Sequence, residues 1–384
     1  HRIARRQRQM CIRDRHPSYG LNRSPRVMDL NSATWMVRSL DQRVSSLLIT
    51  DDNDVLAGGW DGRLMSWDAE GELRWSVQTD DRISSIAFNG QTVAVASGLH
   101  VVALQWATGE TLWSKALEGS ADEVRWWQGE LVAISSVYDI EHNDFIESAV
   151  WRFTEHGEEV LVERMDERPW AMVSVEDRLF VGLGRPKCGL LDITSSPFVH
   201  HQPATISPIT CGSGRGNVGL FGRTDGRVVD HQGNVCSTEE GSIEHLTCML
   251  TGYVATNDQG LAVGRTPSGE ACWSSKGMPI AVQMEAMAHG NASTLWLARQ
   301  EAVNCRLEVW ATDQGGLLAT GTFSNILCMA GHAERAAVGC EDGTVLVWDR
   351  ALLRRRLDAP QENPSAPADE RTSALQAKLR ALRK

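Results

Sequence analysis

The stretch Asp61–Trp75, DGRLMSWDAEGELRW, sets an Asp-Gly pair, a Trp-Asp pair and a Gly-Glu-x-x-Trp within fifteen residues. The pattern returns in pieces: DGTVLVWD at 342–349, GETLW at 109–113 and GEACW at 269–273. An Asp-Gly pair between short apolar runs signals a hairpin, because such a turn needs positive φ angles. RLMSW then ends in a large flat side chain, Gly71 marks another turn, and Trp75 stands on a following strand. A unit of this kind recurring along a chain is the mark of a repeat architecture.

Eight units can be traced. Their first strands are SSLLIT (45–50), SSIAFNG (84–90), DEVRWWQG (122–129), WAMVSVED (170–177), SPITCGSG (207–214), HLTCMLTG (245–252), VQMEAMAHG (282–290) and NILCMAGH (325–332). Each is followed by a strand ending in small residues, a tight turn and a third strand; all but the last unit add a fourth strand, reached through a Gly turn except in the fourth unit. The spacing of roughly 35 to 46 residues suits the blades of a propeller. Strands this short and apolar are not stable singly, whereas sheets stacked face to face bury both surfaces and leave few open edges.

The reading is an all-β fold: an eight-bladed β-propeller of four-stranded antiparallel blades over residues 32–357, with seven blades the alternative if the fifth or sixth unit is misread. The eighth unit lacks a fourth strand. ATWMVRSLDQRV (33–44) aligns with the fourth strands of other units. It is predicted to pair with Thr344–Asp349 and so close the ring. Asp61-Gly62, Asp225-Gly226 and Asp342-Gly343 are expected to be hairpin turns, the first of type I′. Trp67 and Trp348 should wedge between blades, at about 3–5 kcal/mol each on truncation. Trp75, Trp106, Trp113, Trp151, Trp273 and Trp310 are the other aromatic positions of the repeat.

DGRLMSWD and DGTVLVWD resemble WD40 repeats, with Asp61 and Asp342 at the turn aspartate and Trp67-Asp68 and Trp348-Asp349 at the name dipeptide. The WD40 Gly-His before the first strand is missing. GELRW, GETLW and GEACW resemble instead the repeat of quinoprotein-like propellers, in which Gly and Trp dock successive blades. The resemblance covers roughly residues 33–357. It implies either a scaffold for protein partners or, as the alternative, a small-ligand or cofactor-binding propeller such as a pyrroloquinoline quinone dehydrogenase. The dehydrogenases are similar to one another in a calcium site, in many members adjacent cysteines, and export. No two cysteines are adjacent here, and no Asp/Glu/Asn calcium cluster is evident.

Arg5–Arg15, RRQRQMCIRDR, back-translates in one frame onto the mosaic-end adapter of transposase-made sequencing libraries, and is read as translated adapter; a basic arm is the other reading. Residues 1–31 are then adapter and unstructured lead-in, with Met28 a candidate start. Setting aside residues 1–15 leaves 32 Lys and Arg against 48 Asp and Glu. Residues 351–384 hold eight basic and four acidic side chains, so residues 16–350 carry about −20. A field of that sign repels nucleic acid and anionic membrane and favours a basic partner. Eight cysteines lie beyond residue 15 without a C-x-x-C, as expected of free thiols in a cytoplasmic protein.

Other signals are local. CGSGRGNVG (211–219) is glycine-rich but lacks the Gly-Lys-Ser/Thr of a P-loop, and reads as a hairpin. His200 and His201 are adjacent on a strand and so point apart. No nucleophile-elbow serine or paired acid and base stands out. The expectation is a non-catalytic, monomeric propeller with a protein partner and no cofactor or metal. Candidate partner residues are Trp127, from the Trp126-Trp127 pair, and Glu141 and Asp144 in the acidic insertion of the third unit; solvated loop is the other reading of that insertion. Leu375, Leu379 and Leu382 are added from the tail. There APQENPSAPAD (359–369) reads as a linker and ERTSALQAKLRALRK (370–384) as a short basic amphipathic helix that orders on docking.

Overall fold

The structure, a computed structural model, describes residues 27–359 apart from 142, 291 and 314. The chain forms eight four-stranded antiparallel meanders arranged in a ring, with one extra strand on the seventh. Blade 1 runs from Val44 to Gln78 and blade 2 from Ile83 to Ala116. Blades 3 to 7 follow in order, and blade 8 begins at Ile326. Thr34–Ser39 supplies the fourth strand of blade 8, pairing antiparallel with Thr344–Asp349 from Thr34↔Trp348 to Ser39↔Thr344. The ring has eight blades and is sealed by the strand expected to seal it.

First strands of successive blades lie beside one another around the axis, and the first strand of blade 8 returns to that of blade 1. Every first strand carries a β-bulge near its start, as at Val44/Ser46, Ile83/Ser85 and Ile326/Cys328. Such a bulge bends the strand and sharpens its twist. The residue before the bulge is apolar and buried in all eight blades, from Val44 and Ile83 to Ile326.

The small residues closing each second strand have a steric cause. A Cβ on Gly58 would stand 2.7 Å from Ile83 Cγ2 of the next blade. Gly182 faces Ile209, Gly222 faces Ile243 and Gly339 faces Val44 in the same way. At the corresponding place blade 2 has Ala96, and the facing residue shrinks to Ala121. Blade 3 departs from the series with Ile134, opposite Pro169 of blade 4. At that seam the two first strands meet only sparsely. Trp127, Val150, Met172, Leu179 and Val181 fill the space.

The Asp-Gly turns form as expected, with one correction. Gly62 has φ +86° but Asp61 is not among the positive-φ residues, so the turn is not type I′. The Gly62 amide donates to Gly59 O at 3.2 Å, and the Arg63 amide donates to Asp61 Oδ1 at 2.8 Å. This is a three-residue loop closed by a left-handed glycine, which type I geometry followed by a bulge provides. Asp225-Gly226 and Asp342-Gly343 repeat it. Gly62 is also held by space, since its Cβ would stand 2.4 Å from Thr79 O of the chain passing to blade 2.

Two expectations about the ends need correction. Residues 28–31 are not an unstructured lead-in: Met28–Asp29 adds a parallel strand to the edge of blade 7 and Leu30–Ala33 is a 3-10 turn. Residues 350–357, placed inside the propeller by the boundary at 357, are helix, Arg350–Asp358. Asp349 explains the switch. Asp68, its counterpart in blade 1, accepts from the Glu70 and Glu72 amides and shapes a turn into a fourth strand. Asp349 accepts from the Leu352 amide at 3.0 Å and so caps a helix. Helix and 3-10 turn bury Leu353 and Leu30 in the core shared by blades 7 and 8. The tail residues Leu375, Leu379 and Leu382 lie outside the described residues.

The tryptophans divide by role. Trp67 is buried between blades 1 and 8, and Trp348 between blades 7 and 8. The Trp348 ring lies 5.2 Å from Trp296, and its Nε1 donates to Leu30 O at 3.0 Å. Trp75, Trp113 and Trp273 share one device. Each lies on a fourth strand against the third-to-fourth turn of the next blade. Their Nε1 atoms donate to Trp106 O, Glu155 O and Thr312 O at 2.8, 2.9 and 3.0 Å. The turn glycines Gly109, Gly157 and Gly315 leave no room for a Cβ above these rings. The Gly-and-Trp docking that the sequence resemblance implied is thus present at three seams. Trp106 and Trp310 pack beside Trp75 and Trp273, and Trp151 is buried with Nε1 on Ser135 Oγ at 2.9 Å.

Candidate protein-interaction face

A meander ring has two unlike faces. The second-to-third turns and the links between blades emerge on one, here the front; the first-to-second and third-to-fourth turns emerge on the other. Large apolar side chains left exposed are distributed unequally between them. Of the eighteen among the described residues, six are on outer strands and only Val218 and Leu250 are at the back. The other ten are at the front. Trp60, Leu99 and Val303 occupy second-to-third turns, and Ile206 and Met278 occupy links between blades. Trp170 and Leu327 are the bulged residues of their first strands, at the front mouth of the central channel. Tyr138, Ile140 and Ile146 complete the set.

These last three belong to an arm. Strands Glu130–Asp139 and Asp144–Phe153 are ten residues each, against five for the corresponding strands of blade 1. The turn at their tip puts Ile140 86% in solvent. Tyr138 Oη donates to Asn143 Oδ1 at 2.7 Å, and Asn143 takes φ +52°. The Tyr138 ring meets Phe145 edge to face at 5.1 Å, and Phe145 meets Trp170 of blade 4 at 6.2 Å. The Arg168 guanidinium sits 3.9 Å from the Phe145 ring centre and 4.5 Å from that of Trp170. Its other partner is Asp122, at 3.5 Å. Burial pushes the Asp122 carboxyl above the usual carboxylate range, and hydrogen bonding from Ser136 and the charge of Arg168 oppose that shift. A second aromatic–arginine group lies at the front of blade 1, where Arg82 stands 4.2 Å and Arg43 5.8 Å from Trp60.

Of the sequence candidates for partner contact, Glu141 and Asp144 are exposed on the arm. Trp127 is not available: it is 7% exposed, in the seam between blades 3 and 4, beneath the Arg152 guanidinium. The Trp126-Trp127 pair alternates between two packed surfaces rather than between core and solvent. Trp170 and Tyr138 were missed. Trp170 falls at the bulge position, where the first two blades have Ser45 and Ser84, whose hydroxyls donate to Ile83 O and Ala121 O of the next blade. Aligning the first strands at that position would have exposed the exception.

His200 Nε2 lies 2.8 Å from Cys188 O, and CGSGRGNVG forms a hairpin. Among the described residues no group of three or more His, Cys, Asp or Glu side chains is placed to hold a metal ion. The eight described cysteines are unpaired, and burial pushes Cys211 and Cys340 up to about 12 and Cys248 to about 11. Cys272 is exposed. A cavity of about 400 Å³ lies at the back mouth of the channel, lined in part by Leu250, Met287, Glu285 and His332.

The fold defines the chain as an eight-bladed β-propeller. Known structures agree. The chain is similar to BamB from Moraxella catarrhalis, with TM-score 0.66 and 14% identity over 82% of this chain and 99% of that one. It is similar to Saccharomyces cerevisiae Sqt1, with TM-score 0.66 and 10% identity over 83% and 99%. The computationally designed protein Ika8 matches with TM-score 0.65 and 17% identity over 81% and 98%. No family model and no curated protein matches the sequence.

Proposed function

We propose that this chain is a non-catalytic scaffold that binds a protein partner through its front face. The observation that carries the reading is the one-sided exposure: ten large apolar side chains at the front against two at the back. Clustered exposed apolar and aromatic groups on a rigid scaffold are what interfaces use, and Trp, Tyr and Arg are the types enriched there. WD40-type propellers commonly mediate such interactions. The test is affinity capture with the intact chain, its Trp60→Ser/Leu99→Ser/Val303→Ser variant, and a Leu250→Ser control from the back. A partner retained by the control and lost by the front variant supports the reading; equal capture by all three overturns it.

The back cavity favours a second reading, a small ligand held at the channel mouth, since about 400 Å³ is within the range of ligand pockets. A visible chromophore in the purified protein, or a melting temperature raised by quinone and calcium, would support that reading over the scaffold.

A further inference from the structure

We propose that the blade-3 arm and the adjoining rim of blade 4 form the docking site for a basic peptide segment with a large apolar side chain; this rests on the scaffold reading above. Three observations converge. First, the arm does nothing for the ring: its tip lies beyond the strand length blade 1 uses, with Ile140 almost wholly in solvent. Second, its apolar groups are pre-positioned. Tyr138, Phe145 and Trp170 are in ring contact, and Arg168 stacks on two of them while paired with Asp122. A rigid aromatic platform binds without first losing much side-chain freedom. Trp170, 48% exposed, and Tyr138, 45% exposed, offer their remaining surface to an incoming side chain.

Third, the charge on the arm is of one sign. Residues 137–147 carry Asp139, Glu141, Asp144 and Glu147 and no Lys or Arg. Glu141, Asp144 and Glu147 are exposed, and Asp166 in the link to blade 4 adds another exposed carboxylate. Cations nearby are engaged elsewhere: Arg168 with Asp122 and the rings, Arg164 with Glu118 and Lys187 with Glu167. An arm of carboxylates beside an apolar platform attracts Lys and Arg flanking an apolar anchor, and repels acidic peptides. It also disfavours arm-to-arm contact with a second copy of this chain, which would bring the same charge.

The test is fluorescence anisotropy of the full chain with a fluorescein-labelled peptide of alternating Lys and Leu with one Trp. One control peptide has Glu for Lys, the other Ala for Leu and Trp. The basic apolar peptide is expected to bind at least tenfold more tightly than either control. Ile140→Ser and Trp170→Ala should each weaken it roughly fivefold or more, as central anchors do. Glu141→Gln/Asp144→Asn/Glu147→Gln should weaken it and flatten its salt dependence. Ile140 is too exposed for its replacement to disturb folding, so the result does not hinge on Trp170. Equal binding of the Glu peptide, or no response to any arm variant, overturns the proposal. Loss with Trp60→Ser or Val303→Ser but not with arm variants would move the site while leaving the scaffold reading intact; capture indifferent to every front variant would sink that reading itself.

Discussion

Gly58 and Ile83 offer a test of how the blades fit. A Cβ added at Gly58 would lie 2.7 Å from Ile83 Cγ2 and 2.9 Å from its Cβ, too close for carbon atoms. Gly58 has no positive φ, so Gly58→Ala meets only this clash. Overpacking of a tight core typically costs about 1–3 kcal/mol. Ile83 is fully buried, so Ile83→Ala alone should cost about 2–5 kcal/mol by leaving a cavity. The seam between blades 2 and 3 already contains the double replacement, Ala96 against Ala121. Gly58→Ala/Ile83→Ala should therefore fall short of the sum of the single costs by about 1–3 kcal/mol, and be no less stable than Ile83→Ala alone. Urea unfolding of the four proteins gives the coupling. Additivity within about 0.5 kcal/mol would refute the claim that size matching across this seam holds adjacent blades in register.

Trp348→Ala should cost about 3–5 kcal/mol, while Trp60→Ala, at an exposed turn, should change chemical stability by less than about 1 kcal/mol; urea midpoints compare them. Gly109→Ala demands a left-handed alanine, φ +75°, against the Trp75 ring, and should lower the melting temperature and shift Trp fluorescence. His245 is held below its ordinary 6.5, mainly by burial, despite its bond to Ile280 O. The unfolded chain then takes the proton first, so stability falls as pH drops below about 6.5 and is restored above it. His245→Gln should remove that part of the pH profile in urea titrations between neutral and mildly acid pH.

Much of the ring was legible. The repeat DGRLMSWD…GELRW carries turn, wedge and docking Trp in fixed order, and each proved to have its own contact. The closing strand was readable because ATWMVRSL has the apolar spacing of a fourth strand and blade 8 was short of one. What failed were places where one residue type serves two ends. Asp349 caps a helix, although its counterpart Asp68 shapes a turn, and nothing in the Trp-Asp pair distinguishes them. Leu30 reads as lead-in because its value lies in distant contacts, with Trp348 and the helix. The candidate site was harder still. Glu141 and Asp144 stood out by charge, whereas Trp127 and Trp170 look alike in sequence, each beside another strand residue. Only a bulge on one strand and a filled seam on the other send Trp170 to solvent and Trp127 inside.

Hydrogen exchange of the intact chain, free and with its captured partner bound, locates the binding face. New protection is expected at residues 60–63, 98–100, 137–147 and 301–304, with residues 51–54, 68–72 and 106–110 exchanging as in the free chain. Protection confined to the second group would contradict binding at the front.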